Sequence, residues 1–447
     1  MKKKIVSLGM AAVLGASVLT GCGGTGNTTS ENGNTAASGN SSSQSESENT
    51  DAVEVEFWYA GGKTAVNVVA EIVEEFNNSQ DQYHVSCVTQ ADYDETYQKV
   101  QAGIAGGTAP DVALLSVDSA NTLNAKGQLT DMNTYVDADS DFNKEDYIEV
   151  FYNQGVDSEG KLFGIPAYGT TQVFYYNIKA FEDAGINAED IKTWQDLEEA
   201  AKKITTDDMV GWEPMWGKDN LVDVVLSNGG SIFNEDMTEV TINTEEWVEV
   251  WESFRKWIHD DKIMKIHSGG QGWEYWYATI DDVLQNKAGG YTGSSGDQAD
   301  LDFTIVAAME QPGFNDNASA PSAESKELVM LNGSSDEEKQ GAYEFMKYFT
   351  NPENQAKWSM GTGYVAVRKS TQDVPEFKKY TEENPQALVP LQQATHGSIL
   401  PVDPTGGKVY DALATAADKV EIEGISAKEA LDAAQKEAQA ALDSVNK

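Results

Sequence analysis

Val53, Val55 and Phe57 alternate with Glu54 and Glu56, the period-two pattern of a strand with one buried face. Val66, Val69, Val73 and Phe76 then recur at helical spacing, and a second strand is predicted over residues 83–89. Tyr93, Tyr97, Val100 and Ile104 mark another amphipathic helix, which Gly106, Gly107 and Pro110 end before the apolar run 112–115. The order is βαβαβ, the unit of a parallel sheet. Such sheets bind ligands beyond the carboxyl ends of their strands, where the loops 59–63 and 116–119 fall.

Later helices carry explicit start and stop signals. Ser335 and Glu338 form a capping box ahead of Ala342, Phe345, Met346 and Phe349, and Asn351-Pro352 ends that helix and starts the next. Ser426 and Glu429 cap a C-terminal helix whose Leu431, Ala434, Ala438 and Leu442 face a core. Trp247, Trp251, Phe254 and Ile258 form the stripe of a core-facing helix, so these aromatics are structural. No internal repeat is visible.

The N-terminus follows another logic. Lys2 to Lys4 precede an apolar stretch, residues 5–19, that is short for a membrane span, and Leu19-Thr20-Gly21-Cys22 follows. This tetrapeptide resembles a bacterial lipobox. The resemblance implies a signal peptide over 1–21, a diacylglyceryl thioether on Cys22, and an anchor to the outer face of the cytoplasmic membrane. Residues 23–50 hold almost no apolar side chain and are expected to be a tether reaching roughly 30 Å. Folded structure should begin near Ala52. Cys87 is then the one other cysteine, so no intramolecular disulfide is expected, and its strand setting predicts a buried, inert thiol.

With 447 residues, 40% of them hydrophobic, the chain can build two compact lobes. The formal charge of −42 becomes −45 once Lys2, Lys3 and Lys4 are removed. A surface of that sign repels phosphate backbones and argues against nucleic acid as a partner.

Several runs resemble the family 1 extracellular solute-binding proteins of ABC importers. They are Ala102-Gly103-Ile104-Ala105-Gly106-Gly107-Thr108-Ala109-Pro110-Asp111-Val112, Lys161-Leu162-Phe163-Gly164-Ile165-Pro166 leading into Tyr175-Tyr176-Asn177, and Lys192-Thr193-Trp194-Gln195-Asp196-Leu197. Asn228-Gly229-Gly230-Ser231-Ile232-Phe233 and Asn351-Pro352-Glu353 followed by Thr362-Gly363-Tyr364-Val365 extend the match. The resemblance implies a two-lobed α/β fold of the periplasmic-binding-protein type (class II), with the solute in an interlobe cleft. Lobe one would span 52–167 plus 309–351 and lobe two 168–308 plus 352–447, with crossovers at 166–170 and 307–311. It also implies hinge closure around a small solute and delivery to the transmembrane subunits of an ABC permease, by a monomer that is not an enzyme.

A carbohydrate site needs flat aromatic faces for ring C–H surface and carboxylates, amides or hydroxyls for the sugar hydroxyls. By family position Lys63 follows the first strand, Ser116 and Asp118 follow the third, and Tyr168 and Thr170 flank the crossover. Trp212 and Trp216 bracket a Pro-containing stretch without helical periodicity and are expected to stack on ligand. Trp273 lies beside Gly269, Gly270 and Gly272, while Gly293 and Ser294 occupy a Gly-rich turn and Tyr364 follows Gly363. These eleven residues are the candidate ligand contacts. A lone loop Asp or Ser is more often a helix cap than a ligand contact.

Other motifs fail on inspection. Gly62-Lys63-Thr64 would need its first P-loop glycine at Phe57, and Gly361-Thr362-Gly363-Tyr364 follows a helix rather than a strand. Asp137, Asp139 and Asp141 lack the turn glycine and final glutamate of a calcium loop, and His84, His259, His267 and His396 have no zinc-ligand spacing. No cofactor or metal is expected. Two alternatives stand beside a carbohydrate receptor. The C-terminal region also resembles glycerol-3-phosphate-binding members, although Lys408 stands where those place an arginine, and lysine is a point charge rather than a two-pronged grip. A secreted glycoside hydrolase is the other, since a catalytic carboxylate pair meets only in space.

Overall fold

The computed structural model describes residues 52–271 and 273–445 of the chain. The signal peptide, Cys22 and the tether lie outside the described residues. The opening unit folds as its hydrophobic pattern dictates: β1 (Val53–Ala60), α1 (Lys63–Ser79), β2 (Tyr83–Gln90), α2 (Tyr93–Gly106) and β3 (Val112–Ser116), with β1 parallel to both β2 and β3. α2 is capped by the Asp92 side chain and stopped by left-handed Gly107. The remaining strands are β4 (Ile165–Asn177), β5 (Glu213–Pro214), β6 (Gly290–Ser294), β7 (Val306–Met309) and β8 (Ala323–Met330).

β4 organises the molecule. Residues 165–171 pair antiparallel with β8, which itself pairs with β3, while residues 172–177 pair with β6 and β7. The strand order is β2-β1-β3-β8-β4-β6-β5, with β7 also on β4, so one 13-residue strand runs through two sheet regions. The apolar side chains divide accordingly. One core gathers Val55, Phe57, Val69, Phe76, Leu114, Leu328, Phe345 and Phe349, and another gathers Phe174, Trp194, Trp212, Trp247, Trp251, Phe254, Leu413 and Leu431. The described residues nonetheless hold together as one unit.

The capping box of Ser335 and Glu338 forms, Asn351 caps Pro352–Thr362, and Trp247, Trp251 and Phe254 are wholly buried as their spacing requires. Two expectations fail. Cys87 is exposed, because β2 is an edge strand, paired among the described residues only with β1, and its outer positions meet solvent. Trp358, Val365 and Val367, placed by sequence in lobe two, pack into the core of β1, β3 and β8, because Pro352–Thr362 lies against α1.

Candidate functional site

Where β4 passes from one sheet region to the other, β8 carries two charged residues outward. Lys326 lies opposite Ser116 of β3 on one side and Tyr168 of β4 on the other, and Glu324 lies opposite Thr170. A register shift between Pro166 and Tyr168 makes the second pairing possible. Lys326 Nζ is 3.3 Å from Glu324 Oε2 and 5.3 Å from the centre of the Tyr93 ring, and the Tyr93 and Tyr168 hydroxyls are hydrogen-bonded. Tyr168 packs in turn on Trp358 and Tyr364, at 4.9 and 4.6 Å between ring centres.

Residues from elements around the other core complete the charge pattern. Lys218 opens the helix Lys218–Ser227 behind left-handed Gly217, bonds Asp219, and stands 5.3 Å from the Tyr410 ring centre. Burial opposes the charge on Lys218, but Asp219, Glu324 and Asp118 outweigh it and hold its pKa above the ordinary lysine value. Lys326 behaves alike: burial lowers and Glu324, Tyr93 and Asp118 raise, with a net rise. Asp118, in the first turn of the helix Val117–Ala125, is pushed up to about 6 by desolvation and by Glu324, against the pull of Lys218 and Lys326. Asp118 as a residue is exposed, so solvent screens part of that effect.

An aromatic wall adjoins. Trp216 meets Tyr275 edge-on at 5.1 Å, Trp273 meets Trp276 edge-on at 5.7 Å, and Trp276 Nε1 donates to Asp297 Oδ1 at 2.8 Å. Tyr291 donates to the other Asp297 oxygen at 3.2 Å, and burial pushes the Asp297 carboxyl up to about 8. Trp273 and Tyr277 are 57% and 54% exposed, high for side chains of that size.

The structure brings Ser116, Asp118, Tyr168, Thr170, Ser294 and Tyr364 to one region. Thr170 Oγ1 lies 3.4 Å from Ser294 Oγ, and Tyr364 packs on Gly296. Ser116 is also a cap, accepting from Ser119 N–H. Lys63 is the first residue of α1. Trp216 is half-buried with its Nε1 donating to Asp418, so the N–H edge of its ring is committed. Trp212 is a correction: it is fully buried against Phe174 and donates to Thr292, because it immediately precedes β5 and bridges Met264 inside the core. Gly293 is buried, and a Cβ there would lie 2.4 Å from Asp297 Oδ2 and 2.4 Å from the Tyr291 ring.

Sequence reasoning missed Tyr93, Lys218, Glu324, Lys326 and Tyr410. The signal for two of them was present. In Ala323-Glu324-Ser325-Lys326-Glu327-Leu328 charges occupy strand positions that an ordinary core strand fills with apolar residues.

A long strand shared by two cored halves, with charges and aromatic rings converging beside it, defines a two-lobed ligand receptor. The chain belongs to the family described as bacterial extracellular solute-binding protein, which it matches over residues 71–386; such proteins serve ABC importers outside the cytoplasm. It is 26% identical over 365 residues to the sn-glycerol-3-phosphate-binding periplasmic protein UgpB of Yersinia pestis, covering 78% of this chain and 82% of that one. Among solved structures, UgpB of Mycobacterium tuberculosis with glycerophosphocholine superposes with a TM-score of 0.76 at 22% identity, covering 88% of this chain and 99% of the other. The substrate-binding protein Lmo0181 of Listeria monocytogenes with cycloalternan gives 0.76 at 23% identity, over 87% and 98%. Maltose-bound MalE3 of T. maritima gives 0.74 at 18%, over 87% and 99%.

Proposed function

We propose that this protein is a lipid-anchored receptor that holds a neutral carbohydrate between its lobes and hands it to an ABC permease. One observation carries the ligand class. Both lysines are matched by neighbouring carboxylates: Lys218 by Asp219, Lys326 by Glu324, with Asp118 acting on both. The region therefore has no surplus positive charge for a phosphate, while paired charges and exposed Trp273 suit hydroxyls and ring C–H faces. Two structural neighbours were solved with oligosaccharides, cycloalternan and maltose, which supports the same reading.

Ser116, Asp118, Tyr168, Thr170, Trp216, Trp273, Ser294 and Tyr364 are retained as ligand contacts, with Lys218, Glu324 and Lys326 added. Lobe one takes residues 52–167 and 309–351, together with 352–367 on the strength of their packing; lobe two takes most of the rest. Closure follows because contacts to both lobes exist only when they meet around the solute. The protein acts as a monomer without catalysis, tethered through Cys22.

The second reading, glycerol-3-phosphate or a phosphodiester, rests on the names of the curated relatives and on the lysine pair. Calorimetric titration with neutral oligosaccharides, glycerol-3-phosphate and glycerophosphocholine separates the two. One-site binding of an oligosaccharide without product formation supports the proposal. Binding of the phosphate esters alone defeats the carbohydrate assignment, and turnover of a glycoside defeats the receptor.

A further inference from the structure

One cluster of charged side chains among the elements around the second core has no part in the ligand site. Glu213 stands on β5, and residues 263–267 run beside that strand through the Trp212–Met264 bridge. Asp282 projects from the helix Glu274–Leu284 toward both. Lys265 Nζ sits among them, 2.6 Å from Asp282 Oδ2, 2.9 Å from His267 Nε2 and 3.3 Å from Glu213 Oε1. His267 Nε2 is 2.9 Å from Asp282 Oδ2 and 3.6 Å from Glu213 Oε2. One ligand atom from each of Glu213, His267 and Asp282 falls within 4.8 Å of the others.

A second observation concerns Glu213 itself. Its side chain is 0% exposed, and among the described residues its carboxylate oxygens have only the long contacts to Lys265 at 3.3 Å and His267 at 3.6 Å, neither with good hydrogen-bond geometry. A buried carboxylate without hydrogen bonds must either hold a proton, as other buried acids of this chain do, or have a cation close by, and a lysine at 3.3 Å is a loose match.

The geometry points to an exchangeable cation site, in which the Lys265 ammonium occupies the place of a zinc-type transition-metal dication ligated by Glu213, His267 and Asp282. Two carboxylates and a neutral imidazole balance a dication, whereas Lys265 brings a single charge and leaves the second carboxylate to a proton or to Lys287, 3.6 Å from Asp282. An imidazole nitrogen in the set selects against calcium and magnesium, which take oxygen ligands. Lys265 is 46% exposed on a flexible stem and can swing into solvent. A surface depression of about 300 Å³, lined in part by Lys265, Asp282 and Lys287, offers room for a water as fourth ligand. The ion would join β5, residues 263–267 and the helix 274–284. Trp216 and Lys218 follow β5 closely in the chain, and Trp276 lies in that helix, so bound metal would fix the aromatic wall. The inference stands apart from the nature of the transported solute.

The test uses the purified full chain, stripped with chelator and titrated with zinc chloride by calorimetry. Wild type is expected to bind one equivalent. Lys265→Met removes the competing ammonium and tightens binding by roughly ten-fold or more. His267→Gln, at a partly exposed position, weakens binding by more than roughly ten-fold in either background. Cobalt(II) should give a visible absorption band with Lys265→Met and none once His267→Gln is added. Equal zinc binding by wild type and His267→Gln, which would put the ion on another histidine such as His84 or His396, overturns the proposal. So does a folded Lys265→Met protein with no gain in affinity.

Discussion

The Lys326 ammonium stands 5.3 Å from the centre of the Tyr93 ring, held there by Glu324 at 3.3 Å. Lys326 is opposite both Ser116 and Tyr168 in register, so the charge is fixed at the point where β3, β8 and β4 meet. That arrangement orders a cation before any ligand arrives, which lowers the entropy lost on binding.

Lys326→Met keeps the apolar stem and removes the charge. Hydrogen bonds to charged groups contribute about 1.5–3 kcal/mol, so ligand affinity should fall roughly ten- to a hundred-fold. Calorimetry with the identified ligand reads this directly. An unchanged dissociation constant would remove Lys326 from the site.

Trp273 and Trp212 should separate binding from stability. Trp273 is 57% exposed, so Trp273→Ala should leave the melting temperature within a degree or two while weakening binding. Trp212 is 0% exposed and hydrogen-bonded to Thr292, so Trp212→Ala should lower stability by about 3–5 kcal/mol in denaturant titrations. The assignment of Trp212 to the core is wrong if that variant unfolds at the wild-type denaturant concentration.

The contrast between these residues shows what periodicity conveys. The opening βαβαβ unit and the Trp247-Trp251-Phe254 stripe were legible because each buries one face of a regular element, and burial writes a period into the sequence. Trp212 and Trp216 sit four apart around Pro214, a spacing that says nothing about which ring faces inward; a two-residue strand beside β6 decides it. Lys218, Lys326, Glu324 and Tyr410 come from three distant segments, and only the folded chain brings them together. Cys87 was misjudged because a strand pattern does not reveal whether the strand lies at an edge.

Gly293 is small for a steric reason. A Cβ there would approach Asp297 Oδ2 and the Tyr291 ring at 2.4 Å, inside the network that holds Trp276. Gly293→Ala should destabilise the protein by about 1–3 kcal/mol, through displacement of Asp297. Chemical denaturation with tryptophan fluorescence checks it, and a neutral effect would show that β6 relaxes freely.

The buried acids give stability a definite pH dependence. Burial pushes Glu327 up to about 8, against the help of the Ser325 hydroxyl and Lys326, and pushes Asp223 up to about 7 despite hydrogen bonds from Ser322 and Gln311. Asp297 is raised to about 8 by the same cause. Each of these groups binds its proton more tightly folded than unfolded, so its contribution is complete below the unfolded value and is lost as pH rises through the folded one. Asp146 has the opposite sign: burial raises its pKa, but Ser370 and Arg368 outweigh it and hold the carboxyl low, so stability falls when acid protonates it. The melting temperature should therefore be higher near about pH 5 than near about pH 8, and should drop again below about pH 4. Glu327→Gln mimics the protonated acid, keeping an oxygen for the Ser325 hydroxyl. It should stabilise the protein at the alkaline end, change little at the acidic end, and so shrink the difference between them. Scanning calorimetry across that range decides the matter: a wild-type melting temperature that rises toward alkaline pH, or a Glu327→Gln profile parallel to wild type, would show that these carboxyls ionise without penalty in the folded protein.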